Sequence, residues 1–472
     1  MKLQLARLIE DVKTSLWFVP TVFVVLACGL AFGMMHVDRV MEGRWLRDTP
    51  WIFGAGTDGA REVLSAIAST MITVVGLTYS VTVVALVLAA QQYTPRVLRQ
   101  FTSDRGNQVV LGGFIATFVY SLLVLRSVSS EENGGFVPHI SVTVGVALAL
   151  MSIGMLIYFI HHLTTTIRPS CIVGTVAKET IGLIDRLLDG HRGDDPEAAQ
   201  LPAPNEWSEA VAVGAPADGY VQGIDFARLQ KLARAHGFAW RAEVKVGDFV
   251  TRDAPMLRIW PAERLREARE QRLQRHVLVG TERTMHQDPD FGVLVIVDIA
   301  VKALSPGIND PTTAAICIDY LSAIHCRYLE RLQAVEDVRV AAGRRRIVNL
   351  PGFDELVRRS YDPIRRHARG EVAIYHRLLE ALERIARVSR APAYRDAVRQ
   401  QVDSIQAAAV DVTSADRDDI ERACWRVLAA LSPTLVRTEP HAGAGVGAPG
   451  PSASGTGRRD RQTNLPRGTH PV

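Results

Sequence analysis

VLSAIASTMITVVGLTYSVTVVALVLAA, residues 63–90, is an unbroken apolar run without a charged residue. A helix needs ~20 such residues to cross a ~30 Å hydrocarbon core, so this stretch predicts a membrane span. Three further runs of the same kind surround it: Leu16–Met35, Val109–Val128 and Ile140–Ile160. None carries a charge in its interior, and Pro20 near the start of the first is tolerated in lipid. The first run exceeds the 7–15 residues of a signal-peptide core, which favours a retained anchor. No fifth run follows, and the rest of the 472-residue chain reads as soluble.

Short-loop Lys and Arg set the expected orientation. Lys2, Arg7 and Lys13 precede the first run, Arg96, Arg99 and Arg105 follow the second, and Arg168 and Lys178 follow the fourth. The loop after the third run has Glu131 and Glu132 and no base. Both termini are therefore expected in the cytosol. The formal net charge of +4 and the absence of a long basic run give no footprint for nucleic acid. Five scattered cysteines, without a CxxC pair and with Cys28 inside a span, argue against structural disulfides and fit a reducing compartment.

The run at 63–90 has a second pattern. At 100° per residue, Ser65, Ser69, Thr73, Gly76 and Ser80 fall within an arc of ~80°, and Glu62 and Gln91 project onto the same arc from the two ends. Small and hydroxylated residues in one stripe suit a close helix-packing seam. They equally suit the wall of a polar pathway shared by several copies, with Glu62 at its mouth. Either use predicts that this helix is buried in protein. Adjacent His161 and His162 diverge by ~100° on a helix and cannot face one metal, so no metal site and no cofactor is expected.

Beyond the spans, apolar spacing over 167–188 predicts a stalk helix that continues the fourth span down to Gly190, and 192–205 reads as a linker. Strands are expected at 211–224, at Ala242–Val250 and at Pro255–Trp260, with a helix at Phe226–Phe238 between them. Further helices are expected from Pro289 to Leu304, from Pro311 towards Leu332, and over Phe353–Ala430 with breaks near Gly370, Pro392 and Ser414; a short β element is expected at Val338–Leu350. In Ser305-Pro-Gly-Ile-Asn-Asp310, Pro306-Gly307 suits a type II turn, with Asp310 as helix cap and Pro311 at the first helical position. The same polar helix start, with Arg283, Ser305, Gly307 and Asn309 nearby, is a candidate site for a small ligand or anion.

Two resemblances follow. The phrases APADGYVQGI and VKVGDFVTRDAPMLRI resemble small barrel-sandwich domains of the lipoyl and biotinyl type. Lys231 lies in the helical insertion rather than at a hairpin tip, so the scaffold is expected without the carrier chemistry. The early spans together with LTYSVTVVALVLAAQQYTPRVL, GTERTMHQDPDFG and KALSPGINDPTTA resemble a family of predicted bacterial inner-membrane proteins of unknown function. That resemblance implies a multi-pass inner-membrane location and carries no activity.

The expected fold class is therefore a membrane α-helical domain of four transmembrane helices (1–165), a stalk and linker (166–205), and an α+β cytosolic region. The latter holds a small barrel-sandwich-like β block (206–262) and a mainly helical part (263–436), before a disordered tail (437–472). No phosphate-binding loop, GxGxxG, HExxH or GxSxG motif is present, so no enzyme activity is expected. The expected function is an oligomeric channel-like or passive transport protein, gated by its cytosolic part. The alternative is a membrane-anchored sensor or scaffold that binds a small ligand or protein. Expected partners are the lipid bilayer, further copies of the chain, and ions or a small ligand.

Overall fold

The computed structural model describes residues 17–40, 56–92, 104–128, 137–189, 206–264, 270–342, 352–368, 370–409 and 412–432. The expected linker, the tail, Glu131 and Glu132, and the basic residues Lys2, Arg7, Lys13, Arg96 and Arg99 lie outside the described residues.

Four long apolar helices come first: α1 Phe18–Val40, α2 Thr57–Gln92, α3 Arg105–Ser127 and α4 His139–Thr166. All four are long and apolar enough to cross a membrane. The third is the central one, half buried over its apolar window where the others are 17–22% buried. It owes this position to small residues. A Cβ on Gly112 would stand 3.1 Å from the Phe23 ring of α1, and one on Gly113 would stand 2.5 Å from Met155 Sδ of α4. Close backbone approach of this kind, with a Thr117 Oγ1 to Ser152 Oγ contact of 3.1 Å, is how helices associate where no hydrophobic gradient drives them.

A polar clasp closes the end of the bundle that α1 leaves and α4 enters. Asp38, only 4% exposed in the last turn of α1, accepts from Ile140 N (2.9 Å), Ser141 N (2.9 Å) and Ser141 Oγ (2.6 Å). One helix thus caps the N-terminus of another, since Pro138 at the cap position of α4 supplies no side-chain acceptor. Tyr120 Oη donates to Ser141 O at 2.9 Å, and Arg61 Nη2 to Val128 O at 3.1 Å.

At the other end, α4 does not run on as a stalk. It stops at Thr166, and α5 (Pro169–Asp189) starts afresh with Pro169 at its first position. Pro disfavours a helical residue before it and donates no hydrogen bond, so the chain breaks at Ile167–Arg168. Nor does α5 stand free: Ile172, Val173, Val176 and Ile184 are buried in the main core of the extramembrane domain.

The β block follows, as two three-stranded antiparallel sheets and no closed barrel. One has order β1 (Val211–Gly214), β5 (Pro255–Trp260), β3 (Ala239–Ala242); the other β4 (Phe249–Val250), β2 (Gly219–Ile224), β6 (Val277–Gly280). Helix α6 (Phe226–His236) is inserted where expected, capped by Asp225 and stopped by Gly237 at φ 62°. The strand expected over 242–250 is mostly a turn, because Lys245 N and Asp248 Oδ2 pair at 2.7 Å and Gly247 sits at φ 98°. The block also reaches past 262, where it was expected to end, since β6 lies beyond the short helix α7 (Glu270–Gln274).

The remaining helices are α8 (Pro289–Ala303), α9 (Pro311–Ala342), α10 (Phe353–Ala368), α11 (Val372–Val388), α12 (Pro392–Ala408) and α13 (Ser414–Leu431). The β element expected at Val338–Leu350 is helical through Ala342, and the rest of it lies outside the described residues. Helix α5 gives the direction of this domain. Gly174 meets Tyr320, Thr180 meets Gly292, and Asp185 pairs with Arg327 (2.9 Å) and Arg331 (2.7 Å). So α9 runs parallel to α5 and α8 antiparallel to both, which puts the α8–α9 turn at the end where α5 leaves the membrane spans.

Candidate functional site

The polar stripe of α2 is intact and bare. Glu62, Ser65, Ser69, Thr73, Gly76, Ser80 and Gln91 are all exposed on the single chain, whereas Ala60, Leu64, Ala68, Met71, Thr78, Ala85 and Ala89 of the same helix are buried. The bundle therefore uses one face of α2 and leaves the face with the hydroxylated stripe exposed on the single chain. Thr73 Oγ1 donates back to Ser69 O (3.0 Å) and Ser80 Oγ to Gly76 O (2.8 Å), so these hydroxyls do not strand donors in an apolar medium. A Cβ on Gly76 would meet nothing within 4 Å.

Length makes α2 the mechanical link of the molecule. Its 36 residues extend ~54 Å, far more than a ~30 Å core requires. The surplus is built into the extramembrane domain: Ala89, 1% exposed, shares a core with Val173 of α5, Ile299 of α8 and Leu321 of α9. Leu86 packs against the same cluster.

The second candidate, around the α8–α9 turn, divides into two places. Asp310 caps α9 as expected, accepting from Thr313 N at 3.0 Å. Ser305 Oγ donates to Lys302 O at 2.7 Å. The turn is not type II, because Gly307 does not take the required positive φ. The left-handed residue is Asn309 (φ 49°), which lets Asp310 N reach back to Ala303 O at 2.8 Å and close the end of α8. Arg283 is not part of this turn. Its partners are Asp288 (2.7 Å) and Asp290 (3.2 Å) at the start of α8, some 20 Å away along a 15-residue helix.

There Arg283 forms a joint that the sequence motifs did not reveal. Asp288, 2% exposed, caps α8 by accepting from Phe291 N at 3.1 Å, and binds Arg283 Nε and Nη2. Burial pushes its carboxyl up to about 6, against the pull of Arg283. Arg359 of α10 joins through Asp290 at 3.0 Å. The β block is seated on this segment: Gln222 Nε2 donates to Glu282 O (2.7 Å) and Ile224 N to Gln287 Oε1 (2.9 Å). A Cβ on Gly247 would stand 2.5 Å from Asp288 Oδ2. Gly247→Ala combines that overlap with a strained φ, and is expected to destabilise the joint by about 2 kcal/mol. Limited proteolysis of the intact chain reads this as faster cleavage between the β block and α8. Wild-type cleavage rates would mean that the loop is not seated there.

Among the described residues, no three His, Cys, Asp or Glu side chains gather as metal ligands. His162 instead pairs with Asp104, Nε2 to Oδ2 at 2.7 Å, and ties the end of α4 to the start of α3.

Comparison with known proteins places this architecture. A family described as Predicted membrane protein (DUF2254) matches residues 13–384, which takes in all four apolar helices, the β block and both signature segments. An uncharacterized protein of Mycobacterium bovis is 35% identical over 401 residues, covering 84% of this chain and 76% of the relative. An uncharacterized protein of Mycobacterium tuberculosis H37Rv matches to the same extent. No solved structure matches the chain. On the extent of the family match, the chain belongs to the DUF2254 family of predicted membrane proteins.

Proposed function

We propose that this protein works as a homo-oligomer of channel-like character, in which the bare stripe of α2 lines a polar pathway between copies. The observation that carries the reading is the division of α2 into two faces. One is packed against the bundle; the other is exposed and carries small and polar residues from Glu62 to Ser80, with Val84 and Val87 between Ser80 and Gln91. Hydroxyl-lined helix faces suit the passage of hydrated solutes, and a four-helix protomer must borrow copies of itself to enclose a path. Gating follows from the burial of Ala89: a shift of the extramembrane domain would move α2 as a rigid lever. In this reading the domain faces the cytosol and the membrane is the bacterial inner membrane, as the basic residues Arg105, Arg168 and Lys178 beside the domain-side ends of the spans suggest.

Back-bonded hydroxyls at Thr73 and Ser80 support a second reading, since a satisfied face can also pack dry against a partner helix. The spans would then only anchor and oligomerise a sensor or scaffold. Flux assays in liposomes separate the two. Purified protein should conduct ions, and Ser69→Leu, which fills the stripe midway, should abolish conduction while the oligomer mass stays unchanged. Absence of flux in the wild type across several ions and voltages would sink the pathway and leave the scaffold.

A further inference from the structure

A groove of about 620 Å³ opens on the outside of the bundle between α3 and α4. Its volume lies within the ~300–1,000 Å³ typical of small-molecule sites. Val109 and Val110 form one wall, Met151, Met155 and Tyr158 the other, and Gly154 widens it: a Cβ there would meet nothing within 4 Å. Three features together say what the groove holds.

The first is depth. The neighbours of the groove on α4, Leu150, Ile153, Ile157 and Ile160, are 55–66% exposed, so the medium around it is hydrocarbon. The second is the polar level at one end. Tyr158 stacks on His162 with ring centroids 5.3 Å apart, and an exposed Tyr beside the polar His162–Asp104 contact marks the headgroup boundary. That end is the one adjoining α5 and the extramembrane domain.

The third feature is charge. Arg105 lines the mouth and is exposed, and His161 and Arg168 are exposed at about the same level. The carboxylate beside it, Asp104, is turned inward. It accepts from Gly106 N at 2.9 Å and pairs with His162, so it is already engaged. The mouth therefore presents a cation above an apolar slot, which complements a phosphate joined to an acyl chain.

We infer that the α3–α4 groove binds one anionic phospholipid of the domain-side leaflet, its acyl chain between Val110 and Met155 and its phosphate at Arg105. Binding there ties the lipid to the Asp104–His162 contact, and so to the start of α3 and the end of α4.

Native mass spectrometry of the full chain in detergent, titrated with phosphatidylglycerol or with phosphatidylcholine of the same chains, tests this. The wild type should retain phosphatidylglycerol about fivefold better or more, the factor expected for one basic residue at an anionic surface. Arg105→Gln should erase that preference while both lipids still bind. Gly154→Leu, which fills the groove at an open helical position, should lose both lipids with the protein mass and melting temperature kept. Glycerol 3-phosphate should not displace the lipid. Equal retention of the two lipids by the wild type would overturn the inference, as would unchanged binding in Gly154→Leu. Displacement by glycerol phosphate would mean a soluble anion site. A change of oligomer mass in Gly154→Leu, with lipid retention unaltered, would give the groove to a second copy and equally overturn the inference.

Discussion

Replacing Asp38 by Ala is expected to destabilise the membrane bundle by about 3 kcal/mol, more than any single substitution on the α2 stripe. The estimate combines the loss of a helix cap, ~1–2 kcal/mol, with buried donors left unpaired at ~1–3 kcal/mol each, part of which water at the membrane surface recovers. Asp38 accepts from both the Ile140 and Ser141 amides, and it takes the Ser141 hydroxyl as well. Its negative charge also faces the positive end of the α4 dipole. Asp38→Asn keeps one acceptor oxygen and loses that charge, so about half the effect should remain. Unfolding of the purified protein by SDS titration gives the readout, with Asp38→Ala shifted furthest, Asp38→Asn between it and wild type, and Ser69→Leu near wild type. A wild-type midpoint for Asp38→Ala would show that α1 and α4 are held by packing alone.

How much of this was legible in the sequence depends on the range of the interaction. The four spans were legible because length and lack of charge are local properties, and so were α6, α8, α11, α12 and α13, whose ends carry Asp, Gly or Pro punctuation. The Asp310-Pro311 cap was readable from two adjacent residues. Asp288-Pro289 is the same dipeptide signal and marks the start of α8 at Pro289, but the pairing of Asp288 with Arg283 is a contact that no dipeptide shows. Asp38 has its partners about a hundred residues away, and no spacing rule reaches that far. Pro306-Gly307 taken alone suits a type II turn, but the end of α8 takes its left-handed residue two positions later, at Asn309.

Tertiary context likewise decided the fate of the stripe. Periodicity showed that the polar residues of α2 share a face but not which way that face points. Direction was set by α3, whose glycines draw α1 and α4 close and leave α2 to pack through Ala60, Leu64 and Ala68. The helix that carries this exposed stripe is rooted at Ala89 in another core, and so connects the membrane part to the domain beyond it.

The buried histidine of that domain carries the second large expectation, an acid lability. His325 on α9 is fully buried, with Nε2 3.0 Å from Ser360 Oγ and Nδ1 3.2 Å from Tyr361 Oη of α10. Ser360 Oγ donates to Leu356 O at 2.7 Å, so the serine accepts from His325, and the proton of the neutral ring sits on Nε2. Tyr361 then donates to Nδ1, and every polar atom of the trio is satisfied without a charge. Burial lowers the imidazole to about 4 from its ordinary 6.5. Above pH 6.5 neither the folded nor the unfolded state is protonated at this site, so nothing is lost. As pH falls from 6.5 towards 4 the unfolded chain gains a proton that the folded core refuses, and stability drops by about 3 kcal/mol in total, about 2 of it by pH 5. Hydrogen exchange, corrected for intrinsic rates, should show α9 and α10 peptides losing protection between pH 7.5 and pH 5. His325→Gln should be less protected than wild type at pH 7.5 yet much flatter across that interval. A variant as steep as the wild type would assign the acid response to another group.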